Sequence, residues 1–321
     1  MRIVILDDYA DSVRTLDAMS LLKGHQVVIC REPITHSVAW AALLAGADAL
    51  VPIRERSAID AAVLDAAPQL RIVSSAGVLP GNLDVAACSA RGIAVAQSRG
   101  SGHATAELCW ALMLCAQRRL PEQIKALKAG TWQGPIGRQL HGRRLGLWGF
   151  GKVAQQVAHY GKAFGMRVWI WGRETSLVRA RSAGWETAGS LDAFLAESDI
   201  VSLHLKLTPE TAGSISEQDL CRMKSDAIFV NTARAGLLRR GALQAALELG
   251  SPGMAAIDVF DDEPLIGCSD PLLNHPRVLA TPHVGFVERD NFEAFFSGAF
   301  ENILRFASGE TGHLVNAHAL S

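Results

Sequence analysis

Short apolar runs alternate with longer, mixed stretches along most of the chain. In the first hundred residues the runs fall at 3–6, 27–30, 49–51, 72–73 and 93–96. They are only a few residues long and rich in Val and Ile, which predicts buried strands. The stretches between them, such as 37–44 and 59–66, carry apolar residues at helical spacing. Strand and helix in alternation predict a small parallel sheet flanked by helices. The pattern repeats from 99 to 285, with strand-like runs at 144–148, 167–171, 200–203 and 227–230. A strongly apolar helix is expected over 104–118, and a second begins at Pro121. The last long helix is expected over 288–307, with Phe292, Phe295, Phe296 and Ile303 on its apolar side.

One glycine cluster stands where such a pattern carries chemistry. Gly149-Phe150-Gly151-Lys152-Val153-Ala154 links the strand-like run 144–148 to a helical stretch. A G-x-G-x-x-A loop in this position suits a dinucleotide. The first glycine makes the tight turn, the second lets backbone approach a pyrophosphate, and the small third residue allows close packing. The helix start favours the anion. The run 167–171 then completes a β-α-β unit.

The end of that second run bears on which dinucleotide binds. NAD enzymes usually place an acid there for the adenosine ribose. Here Gly172 takes that place, and Arg173 and Ser176 follow. The open space and the cation favour NADP, through the 2′-phosphate. In the competing reading, Glu174 reaches the ribose and NAD is preferred. His204, after the run 200–203, either contacts the cofactor or fills a structural place at a strand end.

Three polar residues follow strand-like runs in the second half: Arg234, Glu263 and His283. Parallel sheets bind ligands at the carboxyl edge of their strands. Arginine offers a planar, always charged fork for a carboxylate and a carbonyl oxygen. Imidazole passes protons in both directions near neutrality. Glu263, hydrogen-bonded to that ring, would orient it and favour its charged form. Cation, carboxylate and imidazole together suit the interconversion of a 2-hydroxy acid and a 2-oxo acid.

Composition narrows the partners. The chain has 321 residues, a net charge of −1, 49% hydrophobic and 20% charged residues. That is a soluble, two-domain composition with no basic face for nucleic acid. No apolar run approaches the roughly 20 residues of a bilayer span, and the first residues read as a strand rather than a secretory leader. Cys30, Cys88, Cys109, Cys115, Cys221 and Cys268 form no C-x-x-C pair, so reduced thiols and a cytoplasmic location are expected. The histidines show no metal-ligand spacing, and no metal site is expected.

From residue 70 to residue 300 the chain resembles the D-isomer-specific 2-hydroxyacid dehydrogenases. The resemblance rests on an ordered set of motifs: Gly77-Val78 with Asn82-Leu83-Asp84, Ala104-Thr105-Ala106-Glu107-Leu108, the glycine loop, Ser198 to His204, Asn231-Thr232-Ala233-Arg234, Asp258-Val259-Phe260 with Glu263-Pro264, and Thr281-Pro282-His283. It implies two Rossmann-like, doubly wound α/β domains. The dinucleotide domain (99–285) would be inserted into a flavodoxin-like substrate domain (1–98 with 286–321). It implies an active site in the cleft between them, closing by a hinge, and a two-fold homodimer built from the region after residue 104. The triad would be catalytic, with Arg234 and His283 also touching substrate. Thr105, Thr232, Ala233 and Asp258 would line the cofactor, although Asp258 has a competing structural reading as the cap of the turn before Glu263. The backbone of Gly77, Val78 and Leu79 would hold the substrate carboxylate.

The chain departs from the family at Leu79-Pro80-Gly81, where a glycine-rich loop is usual, at Ala235 in place of glycine, and at Lys206 in place of proline. The altered loop predicts a more apolar pocket and a preference for small or apolar oxo acids over phosphorylated ones. Two other activities fit the same motifs. One is a nucleotide-sensing scaffold of the corepressor kind. The other is hydride transfer from formate or phosphite, which Glu263 beside His283 disfavours.

Overall fold

The computed structural model describes every residue except Thr35, Cys268, Ser269, Leu320 and Ser321. The chain divides into two units, Met1–Ser101 with Val287–Ser321, and Gly102–Phe286.

The first unit alternates strand and helix: β1 Arg2–Ile5, β2 Gln26–Ile29, α1 Ser37–Leu44, β3 Ala49–Val51, α2 Ala61–Asp65, β4 Ile72–Ser75, α3 Val85–Ala90 and β5 Ala94–Gln97. The strands form one parallel sheet in the order β2-β1-β3-β4-β5. Side chains from both faces of the central strands are buried, as a sheet covered on both sides requires. One face meets a core of Leu44, Leu64, Val73 and Val95. α2 and α3 start where Asp60 and Asp84 accept first-turn N–H groups.

The second unit opens with α4 His103–Gln117 and α5 Leu120–Lys128. It continues with β6 Arg144–Trp148, α6 Lys152–Ala163, β7 Arg167–Trp171, α7 Glu174–Ser182, β8 Glu186–Thr187, α8 Leu191–Glu197, β9 Ile200–Leu203, α9 Glu217–Leu220, β10 Ile228–Asn231, α10 Ala242–Leu249, β11 Met254–Ile257 and β12 Val278–Ala280. Its seven strands are parallel, in the order β12-β11-β10-β9-β6-β7-β8. The strand order reverses between β6 and β9, which makes that edge the switch point of a doubly wound sheet. Two cores cover the faces. One includes Met113, Leu147 and Val157, and the other Phe194, Phe229 and Leu247. Trp148 and Trp169 are buried in the second and Trp171 packs against it.

The chain then returns to the first unit as α11 Arg289–Ala307. Glu288 caps it, accepting from the N–H groups of Asp290 and Asn291. Phe292, Phe295, Phe296, Phe300 and Ile303 are buried, on a face that packs on β4 and β5. Burying each phenylalanine contributes about 2–3 kcal/mol. Ser74 adds a hydrogen bond from its hydroxyl to the Ala299 carbonyl, 2.9 Å.

Candidate active site

In the second unit, loops at the carboxyl edge of the sheet carry most of the expected chemistry. The turn after β6 holds Gly149 at φ 102°, in the left-handed region. A side chain there would place Cβ 2.7 Å from the His204 carbonyl oxygen, so only glycine lets the two loops approach. Gly151 faces open space and is the N-cap of α6, with no side chain capping the helix. A helix start left open, beside a glycine with room around it, fits a pyrophosphate. Phe150 is buried beneath the loop, and Lys152 and Val153 are the first residues of α6. Thr232 lies at the same edge with its hydroxyl buried, close to the buried Cys109 thiol. Ala233 donates its N–H to the Asn231 side chain, 3.0 Å.

After β7, Gly172 is half-buried. A Cβ built on it would meet Ser176 Cβ at 3.5 Å and Gly149 Cα at 3.7 Å, ordinary contacts. Arg173 is exposed and is the N-cap of α7. Glu174 is tied into an ion pair with Arg181 along the same helix.

His204 is engaged in the fold. Its Nε2 lies 3.0 Å from the Ser202 hydroxyl, which in turn lies 3.4 Å from the Cys109 thiol. Burial pushes its imidazole down to about 4, so the ring is neutral in the folded protein. The consequence for stability has a definite sign. Above the ordinary histidine value of about 6.5 the contribution is fully present, and it is lost as pH falls toward 4, because the unfolded chain takes up a proton that the fold refuses. The loss amounts to at most about 3 kcal/mol. Denaturant unfolding at about pH 7 and about pH 4.5 should show a smaller acid-induced drop for His204→Gln than for wild type. Equal drops would sink this assignment.

The triad sits on three neighbouring loops. Arg234 follows β10 as the N-cap of a 3-10 turn, Ala235–Leu237. Its backbone carbonyl accepts from Asn231 Nδ2 at 3.1 Å, and its own Nη1 donates to the Ala233 carbonyl at 2.6 Å. Ala235 opens that turn without a positive φ, which is why a methyl group is accommodated there. Glu263 lies in the loop after β11. Its Oε1 accepts the Phe260 N–H at 2.8 Å and its Oε2 lies 2.6 Å from His283 Nδ1. His283 has φ 50°, a left-handed backbone uncommon outside glycine. Phe286 meets its ring edge-on, with centroids 5.6 Å apart.

Asp258 has a different structural role from the one expected. The turn before Glu263 is closed by Glu263 itself, through Phe260. Asp258, fully buried, caps the turn that carries His283. It accepts from the Thr281 hydroxyl at 2.5 Å and from the N–H groups of Val284 and Gly285 at 2.9 and 2.8 Å. Burial raises its carboxyl above the usual range, against those hydrogen bonds and the nearby His283. The three donors lie on both sides of His283, so they hold its strained backbone in place. Thr105, in the first turn of α4, reaches the same loop, with its methyl 3.5 Å from where a Cβ on Gly285 would stand. No group of ligating side chains suited to a metal exists among the described residues.

The first unit holds the other expected element. The loop after β4 begins at Gly77, φ 106°. The Gly77 N–H donates to Ser98 Oγ at 2.8 Å and the Leu79 N–H to Gln97 Oε1 at 2.9 Å. Leu79 is therefore not the free donor that the sequence suggested. Gln97, at the end of the neighbouring strand β5, already takes its N–H. Val78 is exposed and remains the donor of this stretch. Sequence reasoning also missed Arg54, on the loop after β3. Its backbone is left-handed, φ 54°, and its Cδ stands 2.8 Å from the place of a Gly77 Cβ. The loop itself lacks a cation, but the adjacent strand brings one to it. The available signal was an arginine just past a strand end.

Residues 110–285 match the family model described as D-isomer specific 2-hydroxyacid dehydrogenase, NAD binding domain. A D-3-phosphoglycerate dehydrogenase of Mycobacterium bovis is 41% identical over 243 residues, 74% of this chain. The chain spans only 45% of the length of that relative. A glyoxylate reductase of Aeropyrum pernix is 39% identical over 269 residues, 80% of each chain. The solved structure of an oxidoreductase from Ralstonia solanacearum superposes with a TM-score of 0.97 at 44% identity, covering 100% of this chain and 98% of that one.

Proposed function

The chain belongs to the D-isomer specific 2-hydroxyacid dehydrogenase family, and from that premise we propose that it is an NAD(P)-dependent oxidoreductase interconverting a small D-2-hydroxy acid and its 2-oxo acid. The observation that carries this reading is the 2.6 Å contact between His283 Nδ1 and Glu263 Oε2, on loops that neighbour Arg234. When bound, the nicotinamide supplies or accepts the hydride. Arg234 anchors the carboxylate and polarises the carbonyl. His283 gives its proton to the carbonyl oxygen in reduction and removes it in oxidation, and Glu263 orients the ring and stabilises its charged form. Gly149, Gly151 and the start of α6 hold the pyrophosphate, and Arg173 with Ser176 holds the adenosine end. Thr232 and Thr105 line the nicotinamide side.

The Val78 backbone is the proposed carboxylate grip of the first unit, because the N–H groups of Gly77 and Leu79 are taken by Ser98 and Gln97. Arg54 beside it supplies a cation that a phosphorylated substrate could use, so a phosphorylated oxo acid belongs in any substrate panel. The reading stays with small oxo acids, because Leu79 and Pro80 make the loop apolar. The test is reduction of glyoxylate, hydroxypyruvate, pyruvate and 3-phosphohydroxypyruvate with NADH and NADPH. Turnover of none of them refutes the activity, and turnover of the phosphorylated acid well above the rest refutes the size preference. A corepressor-like scaffold has no support among the relatives described above. The Glu263–His283 pair favours the hydroxy acid over formate, whose oxidation moves no alcohol proton.

The oligomer and location complete the proposal. Ile124, Leu127, Trp132 and Ile136 are exposed within one short stretch of the second unit, Trp132 at 83% and Ile136 at 94%. Contiguous exposed apolar residues of this kind mark a protein interface, and a homodimer is the proposed partner. Trp132→Glu with Ile136→Glu should sediment as a monomer where wild type sediments as a dimer. A wild-type monomer would rule the dimer out. A cytoplasmic location accords with the dispersed cysteines. No helix among the described residues is long and apolar enough to cross a membrane.

A further inference from the structure

A cavity of about 290 Å³ opens in the second unit, apart from the groups assigned to catalysis and cofactor. It lies between β10, α10 and the loop after β11. Its volume is near the low end for ligand pockets, enough for a small molecule. Leu238, Leu243, Ile257 and Val259 make a buried apolar floor.

The polar groups at its mouth are of both signs. Arg239 and Arg240 come from the α10 side, and Asp261, Asp262 and Asp270 from the opposite loop. Arg240 and Asp262 form an ion pair. Asp270 caps the 3-10 turn Pro271–Asn274 through the Leu272 N–H. Arg239 and Asp261 have no ion pair among the described residues and both are exposed; Arg239 donates its Nε to the Gly213 carbonyl at 3.4 Å, which leaves its terminal nitrogens for a ligand. Partial burial, against Arg240 and with Asp262 and Asp270 adding, raises the Asp261 carboxyl, and an ammonium group beside it would relieve that. One unpaired cation and one unpaired carboxylate over an apolar floor match a molecule with a carboxylate, an ammonium group and a small apolar body.

The walls explain what its occupation would do. Asn231 and Ala235 line the cavity, and Asn231 holds the Arg234 turn through its side chain. Phe260, Asp261 and Asp262 line it too, and the Phe260 N–H holds Glu263. The cavity therefore backs onto two of the three loops that carry the triad.

We propose that this cavity is an effector site for a small apolar α-amino acid. Such a molecule is a 2-oxo acid with its carbonyl replaced by an ammonium-bearing carbon, so the site would sense the aminated counterpart of the substrate class. Its carboxylate pairs with Arg239, its ammonium with Asp261, and its side chain lies on Leu238 and Leu243. Occupation displaces the Phe260–Asp262 wall, loosens Glu263 against His283 and lowers turnover. The regulatory part rests on the oxidoreductase reading above, and the binding part does not.

The test is calorimetry on the whole chain with L-leucine, with isopentylamine and 4-methylpentanoate as single-charge probes. L-leucine should bind saturably in about the millimolar range, and each single-charge probe about tenfold more weakly or worse. Arg239→Gln and Asp261→Asn should each weaken leucine by about tenfold, while keeping wild-type turnover in its absence. Saturating leucine should lower wild-type kcat about threefold and leave kcat of both variants unchanged. Absence of saturable binding, equal binding by the variants, or binding without any change in kcat would each overturn the proposal. If no oxo acid is turned over, the oxidoreductase reading fails while the calorimetry still decides the site.

Discussion

His283→Ala lowers kcat for reduction of a 2-oxo acid by about 100-fold or more, with little change in cofactor affinity. The expectation follows from how the ring is held. Glu263 Oε2 stands 2.6 Å from Nδ1, which leaves the other ring nitrogen for substrate. Phe286 bounds the ring on one side and Asp258 clamps the backbone on either side of it. An alanine also faces a left-handed backbone, at a cost of about 1–2 kcal/mol. His283→Asn controls for this, since asparagine accepts that conformation more readily. Both variants should lose turnover alike, while cofactor affinity, read by tryptophan fluorescence, stays near wild type. Glu263→Gln should fall between them and wild type, because its amide oxygen can still accept the Phe260 N–H but the stabilising charge is gone. Wild-type rates for His283→Asn across neutral pH would show that the proton travels by another route.

Wild type is expected to use NADPH better than NADH, and Gly172→Asp to reverse that preference. Gly172 stands where an acid would meet the ribose, and its Cβ position is open at ordinary contact distances. An aspartate can therefore be introduced without displacing the glycine loop. Arg173 stands beside it with no ion pair among the described residues, whereas Glu174, the group that would favour NAD, is paired with Arg181. A charge-assisted hydrogen bond to a 2′-phosphate is worth about 1.5–3 kcal/mol, or about 10- to 100-fold in affinity. Arg173→Ala should lower kcat/KM for NADPH by about that factor and leave NADH nearly unchanged. Gly172→Asp should add repulsion against the phosphate and a ribose contact for NADH. A wild type that prefers NADH, with Arg173→Ala unchanged toward NADPH, decides for the opposite assignment.

Most strands of both sheets, and their parallel arrangement, were legible in the chain. Strands buried on both faces of a parallel sheet read as short apolar runs, and the helices between them show their own period. The places of the glycine loop and of Arg234, Glu263 and His283 just past strand ends were legible for a related reason. A tight turn beside a pyrophosphate demands glycine, and ligand-binding groups at a sheet edge sit just past the end of a strand. These requirements act over a few neighbouring residues, so sequence order preserves them. Other features depend on which strands lie side by side. Asp258 was expected beside the cofactor or as the cap of its own turn, yet its three donors come from residues 281 to 285, because β12 pairs with β11 and brings that loop to it. Leu79 was expected to offer its N–H, which Gln97 takes because β5 lies next to β4. Arg54 reaches Gly77 because β3 also neighbours β4. These residues, 18 or more positions apart, meet because their strands are paired, and the hydrogen bonds at a sheet edge are allotted among loops that no local pattern connects.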